Sequence, residues 1–192
     1  MISSKVQERL RALHRYDILD TFPEAAFERL TRLAANIFGT PIALISLLDE
    51  DRQWFKSHYG LEATETPMHV SFCRHAIEDE SVFTVLDATL DHRFSTNELV
   101  TGQSGIRFYA GAPLRTSDGT AVGTLCVIDR LPHRALRESE KQILADFAAM
   151  VVNEMELRLL LRQLQSQVQT AESVEETGGP VTVQASQDVT TV

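Results

Sequence analysis

Apolar residues first become periodic at residues 4–15, where Val6, Leu10 and Leu13 recur at spacings of four and three among charged neighbours. That is the period of an amphipathic helix. Thr21 and Glu24 stand three residues apart with Pro23 between them, the form of a capping box. Phe27, Leu30, Leu33, Ala34 and Ile37 then share one helical face until Gly39 and Pro41 stop it. At residue 41 the pattern changes. Residues 41–49 (PIALISLLD) are an almost continuous apolar run of strand length, as expected of a strand covered on both faces. Glu50 and Asp51 make a turn, residues 52–59 return as a second strand, and 81–86 form a third. Residues 107–116 and 121–129 flank the hairpin turn Ser117-Asp118-Gly119 as a fourth and fifth strand. Pro113 lies inside the fourth and predicts an edge or a bulge, because proline has no N–H for a sheet ladder. Ser71 is placed to cap a short helix at 72–78. Residues 61–70 and 87–105 read as loops, the second long enough to be functional or to carry a short helix of its own.

From residue 136 to about 168 the helical period returns with two apolar stripes. Ile143, Phe147, Met150, Leu157, Leu161, Leu164 and Val168 follow heptad spacing with one break at Glu154. Leu144, Val151, Met155 and Leu159 form the second stripe. A helix with two stripes has two faces to bury. One is expected to pack on the sheet. The other is expected to pack on a second copy of the chain, since the seam runs past the predicted sheet. Residues 171–192 carry no aromatic residue and no sustained period, and read as a disordered tail. The organisation predicted is therefore a dimerisation helix and linker at 1–20, a folded domain at 21–160 whose last helix begins near 136, a helical extension at 161–170, and the tail. The order of elements gives an α+β fold, an antiparallel sheet with helices on one face and short helices with the long loop as a lid on the other.

Composition narrows the function. The 192 residues are 43% hydrophobic, enough for a core, and the formal net charge is -9. Nucleic acid and anionic membrane surfaces both call for a clustered basic face, so neither is an expected partner. No apolar run is long enough to span a bilayer and residues 1–16 have no signal-peptide core, so a cytoplasmic location is expected. Two cysteines, Cys73 and Cys126, are too few for a disulfide framework. Metal or haem ligation needs several convergent ligands, and only Cys73, His75 and His69 lie near one another. No glycine-rich phosphate loop, Ser-His-Asp arrangement or pair of catalytic carboxylates stands out, so no enzyme activity and no cofactor is expected.

Several segments in order resemble bacterial GAF sensor domains. These are Tyr16-Asp17-Ile18-Leu19-Asp20-Thr21 with Pro23-Glu24, Pro41-Ile42-Ala43-Leu44, and Asp51-Arg52-Gln53-Trp54-Phe55-Lys56. Ser71-Phe72-Cys73 with His75-Ala76-Ile77, Asp91 with Arg93-Phe94, and Arg107 to Leu114 continue the series, which ends in Asp118-Gly119 with Gly123 to Asp129. The resemblance covers roughly residues 15–160. It implies a GAF/PAS-like sheet of six antiparallel strands, one more than the pattern gives, with helices on both faces and long terminal helices that pair between protomers. It also implies a sensory role in signal transduction beside an output module such as a histidine kinase or diguanylate cyclase, whose signatures are absent from this sequence.

The resemblance implies a ligand pocket for a small molecule around Ser71, Phe72, Cys73, His75, Asp87, Arg93, Phe94, Asn97, Phe108 and Tyr109. Arg93 and Arg107 are suited to hold a carboxylate or phosphate by paired hydrogen bonds. The alternative is that Asp87, Arg93 and Asn97 brace the long loop. Trp54 is expected in core or lid packing, with ligand stacking as the alternative; Gly111 either leaves room for a ligand or another backbone or marks a bulge; and Cys126, mid-strand, reads with Cys73 first as a small apolar core residue. Cys73, near a helix start and close to His75, raises the alternative of a thiol redox sensor or an enzyme like the GAF-fold reductases of free methionine sulfoxide. The attacking cysteine of those reductases, expected within 87–106, has no counterpart. The Cys-His dipeptide of covalent bilin carriers is absent, as are the Asn-Lys pair and the Phe-x-x-x-Asp-Glu element of cyclic-nucleotide binders. A third alternative is a ligand-free dimerisation scaffold whose pocket is filled by its own side chains.

Overall fold

The apolar run at 41–49 becomes β1 (Ile42–Leu48), and each of its seven residues is buried in the computed structural model, which describes residues 3–177. β1 lies between β2 (Arg52–Tyr59) and β6 (Ala121–Asp129), antiparallel to both. β5 (Phe108–Arg115) adds to β6, and β4 (Phe83–Val85) adds to β5. The sixth strand is β3 (Glu65–Pro67), which pairs with Arg52, Gln53 and Trp54 on the outer edge of β2. The sheet order is β3-β2-β1-β6-β5-β4. β3 lies within 61–70, which the pattern reads as loop. Its three residues have no room to display an alternation, and a turn of 3-10 helix (Met68–Val70) follows at once. β4 covers β5 only from Tyr109 to Gly111, so Pro113 sits where the outer edge of β5 is open and no N–H is called for.

Helices cover both faces, as an α+β sandwich of this composition requires. On one side lie α1 (Ser4–His14), α2 (Ala25–Phe38) and α5 (Glu138–Thr177), with Leu13, Tyr16, Phe27 and Ala34 fully buried against Ile45, Leu47, Val122 and Val127. On the other lie α3 (Cys73–Ala76), α4 (Glu98–Thr101) and the loop between β4 and β5. α2 starts later than the capping box predicts. Glu24, not Thr21, occupies the N-cap position and makes no capping bond, because its carboxylate is drawn to Lys56 and Arg158. Thr21 donates instead to the Ile18 carbonyl. Gly39 ends α2 at φ 62°, a left-handed conformation that glycine reaches without strain.

α5 separates its two stripes as two faces. Leu144, Ala148, Val151 and Met155 are buried on the sheet, while Ile143, Met150, Leu157, Leu161, Leu164 and Val168 are exposed. The helix runs to Thr177, so residues 171–177 continue it where the pattern predicts tail. Three of those seven residues are glutamate, a good helix former, and an established helix extends at low cost. The rest of the predicted tail lies outside the described residues.

One irregularity in the sheet has consequences for both faces. Ile45 pairs with Ser57 but Ser46 pairs with Phe55, so Lys56 is an extra residue in β2. Such a bulge interrupts the alternation of side chains. Gln53 and Phe55 point to the α3–α4 side, whereas Lys56 and Ser57 both point to α2. The Lys56 ammonium is fully buried and bonds to Glu24 Oε1 at 2.6 Å, Thr21 Oγ1 at 2.8 Å and the Phe22 carbonyl at 2.8 Å. Glu24 also accepts from Arg158 Nε at 2.9 Å, and Arg158 donates to the Tyr16 and Asp17 carbonyls. The bulge thus ties β2 to α5 through one carboxylate.

Candidate functional site

A cavity of about 100 Å³ lies between the sheet and the α3–α4 layer. Ile42, Leu44, Phe55 and Ile128 form its floor from the sheet, and Phe72, Leu99 and Ile106 come from the opposite layer. Four polar side chains interrupt this apolar lining. Gln53 is 5% exposed and accepts from Ser71 through its carbonyl oxygen. Its NH2 group has no hydrogen-bond partner among the described residues. Thr66 Oγ1, across the β2–β3 pair from Gln53, is buried without a partner among the described residues. Ser104 and Arg130 lie at the mouth, where Arg130 Nε donates to the Ser104 carbonyl at 3.0 Å. Unpaired polar groups inside an apolar cavity are what give a small-molecule site its selectivity.

Of the residues singled out by sequence, Phe72, Cys73 and Tyr109 line this cavity, and Ser71 stands behind it holding Gln53. Phe94 lies alongside, stacked on Phe72 with ring centroids 4.1 Å apart and planes 8° from parallel. His75 meets Phe94 edge-on at 5.1 Å, and burial pushes its pKa below the ordinary histidine value. The aromatic cluster expected to surround a ligand is therefore filled largely by its own rings, and the open space lies beside it.

The remaining polar candidates brace the loop. Arg107 forms two bonds to Asp87, at 2.7 and 2.5 Å, and with Thr89 holds that carboxyl below its usual range. Arg93 forms two bonds to Asp91 and lies over the rings of Phe83 and Phe94. Neither guanidinium faces the cavity. Asn97 caps α4 through the Leu99 N–H and donates to the Val70 carbonyl at 3.0 Å, which joins the two halves of the lid. Trp54 and Phe108 point to the opposite side of the sheet, into the α1–α2–α5 core, where Phe108 stacks on His133. Their strands alternate, and Phe55 and Tyr109 take the cavity side.

Gly111 is where Tyr109 needs space. A Cβ there would stand 2.3 Å from Tyr109 Oη, so the room is taken by a ring of the same strand. Tyr109 Oη donates to Cys73 Sγ at 3.2 Å. Cys126 is buried beside them, and the two thiols interact. Burial holds Cys126 well above the usual thiol pKa. Burial acts on Cys73 too, but the surrounding donors, Cys126 and Tyr109 among them, outweigh it and lower its pKa. Gly111→Ala should displace the Tyr109 ring, cost about 1–3 kcal/mol as overpacking does, and speed the reaction of Cys73 with a thiol reagent. Unchanged stability and thiol kinetics would show that the ring does not depend on this glycine.

Sequence reasoning missed Gln53, Thr66, Leu99, Ser104 and Arg130. Gln53 and Phe55 flank Trp54, so the alternation contained the signal for the first. The others depend on which loops fold over the sheet. Among the described residues no group of three or more His, Cys, Asp or Glu side chains is placed to hold a metal ion.

Residues 23–155 match the family model described as GAF domain. Over 135 residues, 70% of this chain, the sequence is 48% identical to a cyclic di-GMP phosphodiesterase of Pseudomonas aeruginosa, and the match spans 23% of that relative's length. Among solved structures, the GAF domain of an Acinetobacter phosphoenolpyruvate-protein phosphotransferase superposes with a TM-score of 0.58 at 16% identity, covering 81% of this chain and 95% of that one. A free methionine-R-sulfoxide reductase from Neisseria meningitidis gives 0.57 at 18% identity, covering 85% and 96%. At such identities the structures establish the fold alone.

Proposed function

Since the chain belongs to the GAF domain family, we propose that it is a sensory domain that binds a small molecule in the cavity beneath α3 and α4 and relays occupancy through α5. One observation carries the reading: the strand that lines the cavity with Gln53 and Phe55 reaches α5 through the next residue, Lys56, by way of Glu24 and Arg158. A ligand that shifts β2 alters the seat of that ion pair. It biases the helix only as far as it favours one arrangement over the other.

The exposed seam of α5 receives the same seam of a second copy, in register from Ile143 to Val168. Leu33 and Ile37 of α2 are exposed too, and Ile37 borders Ile143. The output is a separate enzymatic domain, a histidine kinase or a diguanylate cyclase, and the name of the Pseudomonas relative, a cyclic di-GMP phosphodiesterase, supports the cyclic di-GMP side of that pair. This domain itself acts by binding, because both cysteines are buried where thiol chemistry calls for access.

Native mass spectrometry of the full chain purified from its own cells tests both halves. The expected result is a dimer carrying a discrete extra mass that denaturation releases. A clean apo dimer that takes up no metabolite from an extract would leave a scaffold. Leu161→Glu with Leu164→Glu should convert the dimer to a folded monomer, and a dimer that survives them would remove the seam as its basis.

A further inference from the structure

The one charge in the cavity lining is opposite in sign to the chain's net charge. The protein has 27 acidic residues against 18 Lys and Arg, yet the cavity lining contains no carboxylate and a single charged group, the Arg130 guanidinium. Of the arginines bordering the α3–α4 layer, Arg93 is paired with Asp91 and Arg107 with Asp87. Arg130 has no carboxylate within ion-pair distance among the described residues. Its Nε is fixed to the Ser104 carbonyl at 3.0 Å, which anchors the side chain at the mouth while leaving its two terminal nitrogens to other partners. The rest of the lining is apolar and aromatic, and the volume of about 100 Å³ is below the roughly 150 Å³ of an apolar cavity that takes up benzene.

We infer that the ligand is a small monoanion, a short branched or cyclic apolar acid whose hydrocarbon part fills the cavity and whose carboxylate is held at the mouth by Arg130. A guanidinium binds a carboxylate in a planar two-bond arrangement that is stronger than a neutral hydrogen bond. The inner polar groups, the Gln53 NH2 and the Thr66 hydroxyl, offer hydrogen bonds to a substituent at the far end of the ligand. They distinguish ligands of this class from one another without supplying the charge preference. The inference rests on the proposed binding role of the cavity and adds the class of molecule bound.

The test compares isovalerate with its neutral isostere isovaleramide on the full chain, by calorimetric titration and by amide and methyl NMR. If Arg130 holds the acid, isovalerate binds about two- to fivefold more tightly than isovaleramide, the value expected of one solvent-exposed ion pair. Both probes shift the resonances of Leu44, Leu61 and Ile128, and Arg130→Gln abolishes the preference while leaving the methyl shifts. Arg130 is exposed at the end of β6, so the substitution leaves the core intact. Equal affinities in the native chain would overturn the acid inference and leave the cavity as a binding site for neutral molecules. If neither probe moves the lining resonances, the cavity reading fails with it. A preference that survives Arg130→Gln would place the anion elsewhere and equally overturn the assignment.

Discussion

Phe94→Ala is expected to destabilise the domain by about 3–5 kcal/mol, the usual cost of removing a fully buried aromatic ring. Phe94 is 1% exposed and central to the α3–α4 layer. It stacks on Phe72, takes the edge of His75, meets Phe83 at 6.2 Å and carries the Arg93 guanidinium on its face. α3 and α4 are four residues each, and among the described residues the Asn97–Val70 hydrogen bond and this stack are what join the two halves of the lid, while Ser71–Gln53 and Tyr109–Cys73 tie it to the sheet. Urea unfolding gives the energy. Hydrogen exchange gives the location: protection should fall first in residues 71–77 and 97–106. Phe72 lines the cavity, so retention of a small molecule in native mass spectrometry should fall as well. A loss below about 1 kcal/mol would mean that the layer collapses around the missing ring, and that the stack is not what closes the cavity.

Glu24→Gln should cost about 2–3 kcal/mol, and Lys56→Met distinctly less. The two partners of this ion pair differ in environment. The Lys56 side chain is fully buried, and burial lowers its pKa in spite of Glu24, so its charge is tolerated and not favoured. Glu24 is 36% exposed. Burial raises its pKa, but hydrogen bonds from Lys56 and Arg158 outweigh that and bring it below the ordinary value. Replacing the carboxylate by an amide leaves a buried ammonium with neutral acceptors only and no compensating charge. Removing the ammonium leaves a half-exposed carboxylate still bonded to Arg158. Because the folded pKa of Glu24 is depressed, its contribution is complete above the unfolded carboxylate value of about 4.3 and is lost as pH falls through the folded one. The acid limb of the stability profile should therefore be shallower in Glu24→Gln than in the native chain. Both variants also cut the link from β2 to α5, so ligand-dependent exchange protection of α5 should weaken in each. A Lys56→Met chain less stable than Glu24→Gln would reverse the assignment of the costs.

Much of this arrangement is legible in the chain. Period four-three marks α1, α2 and α5, and the unbroken run at 41–49 marks a strand buried on both faces, because a side chain's direction follows directly from backbone geometry. The two stripes of α5 predict one face on the sheet, as the structure has it, and a second face for another copy of the chain, where most of the stripe is exposed and Phe147 is half-buried against the core. Elements of three or four residues are less visible. β3 exists by pairing with β2, and its own three residues carry no alternation to read.

The site divides in the same way. Phe72, Cys73 and Tyr109 are recognisable from sequence as cavity residues, while Trp54 and Phe108 belong to the other face. Lys56 illustrates the limit best. Alternation places it opposite Phe55, but the bulge that also turns Ser57 toward α2 is set by how β1 and β2 pair. Sequence by itself determined the period of each long element, the burial of β1 and the sign of the net charge, all of which are local or additive properties. Tertiary structure decided that the acid-rich chain keeps carboxylates out of its cavity, that Asp87 and Asp91 occupy two arginines while Arg130 is left at the mouth, and that Glu24 joins a sheet to a helix. Each of those depends on side chains distant in sequence meeting at a few ångströms, where charge and hydrogen bonding are felt and periodicity carries no information.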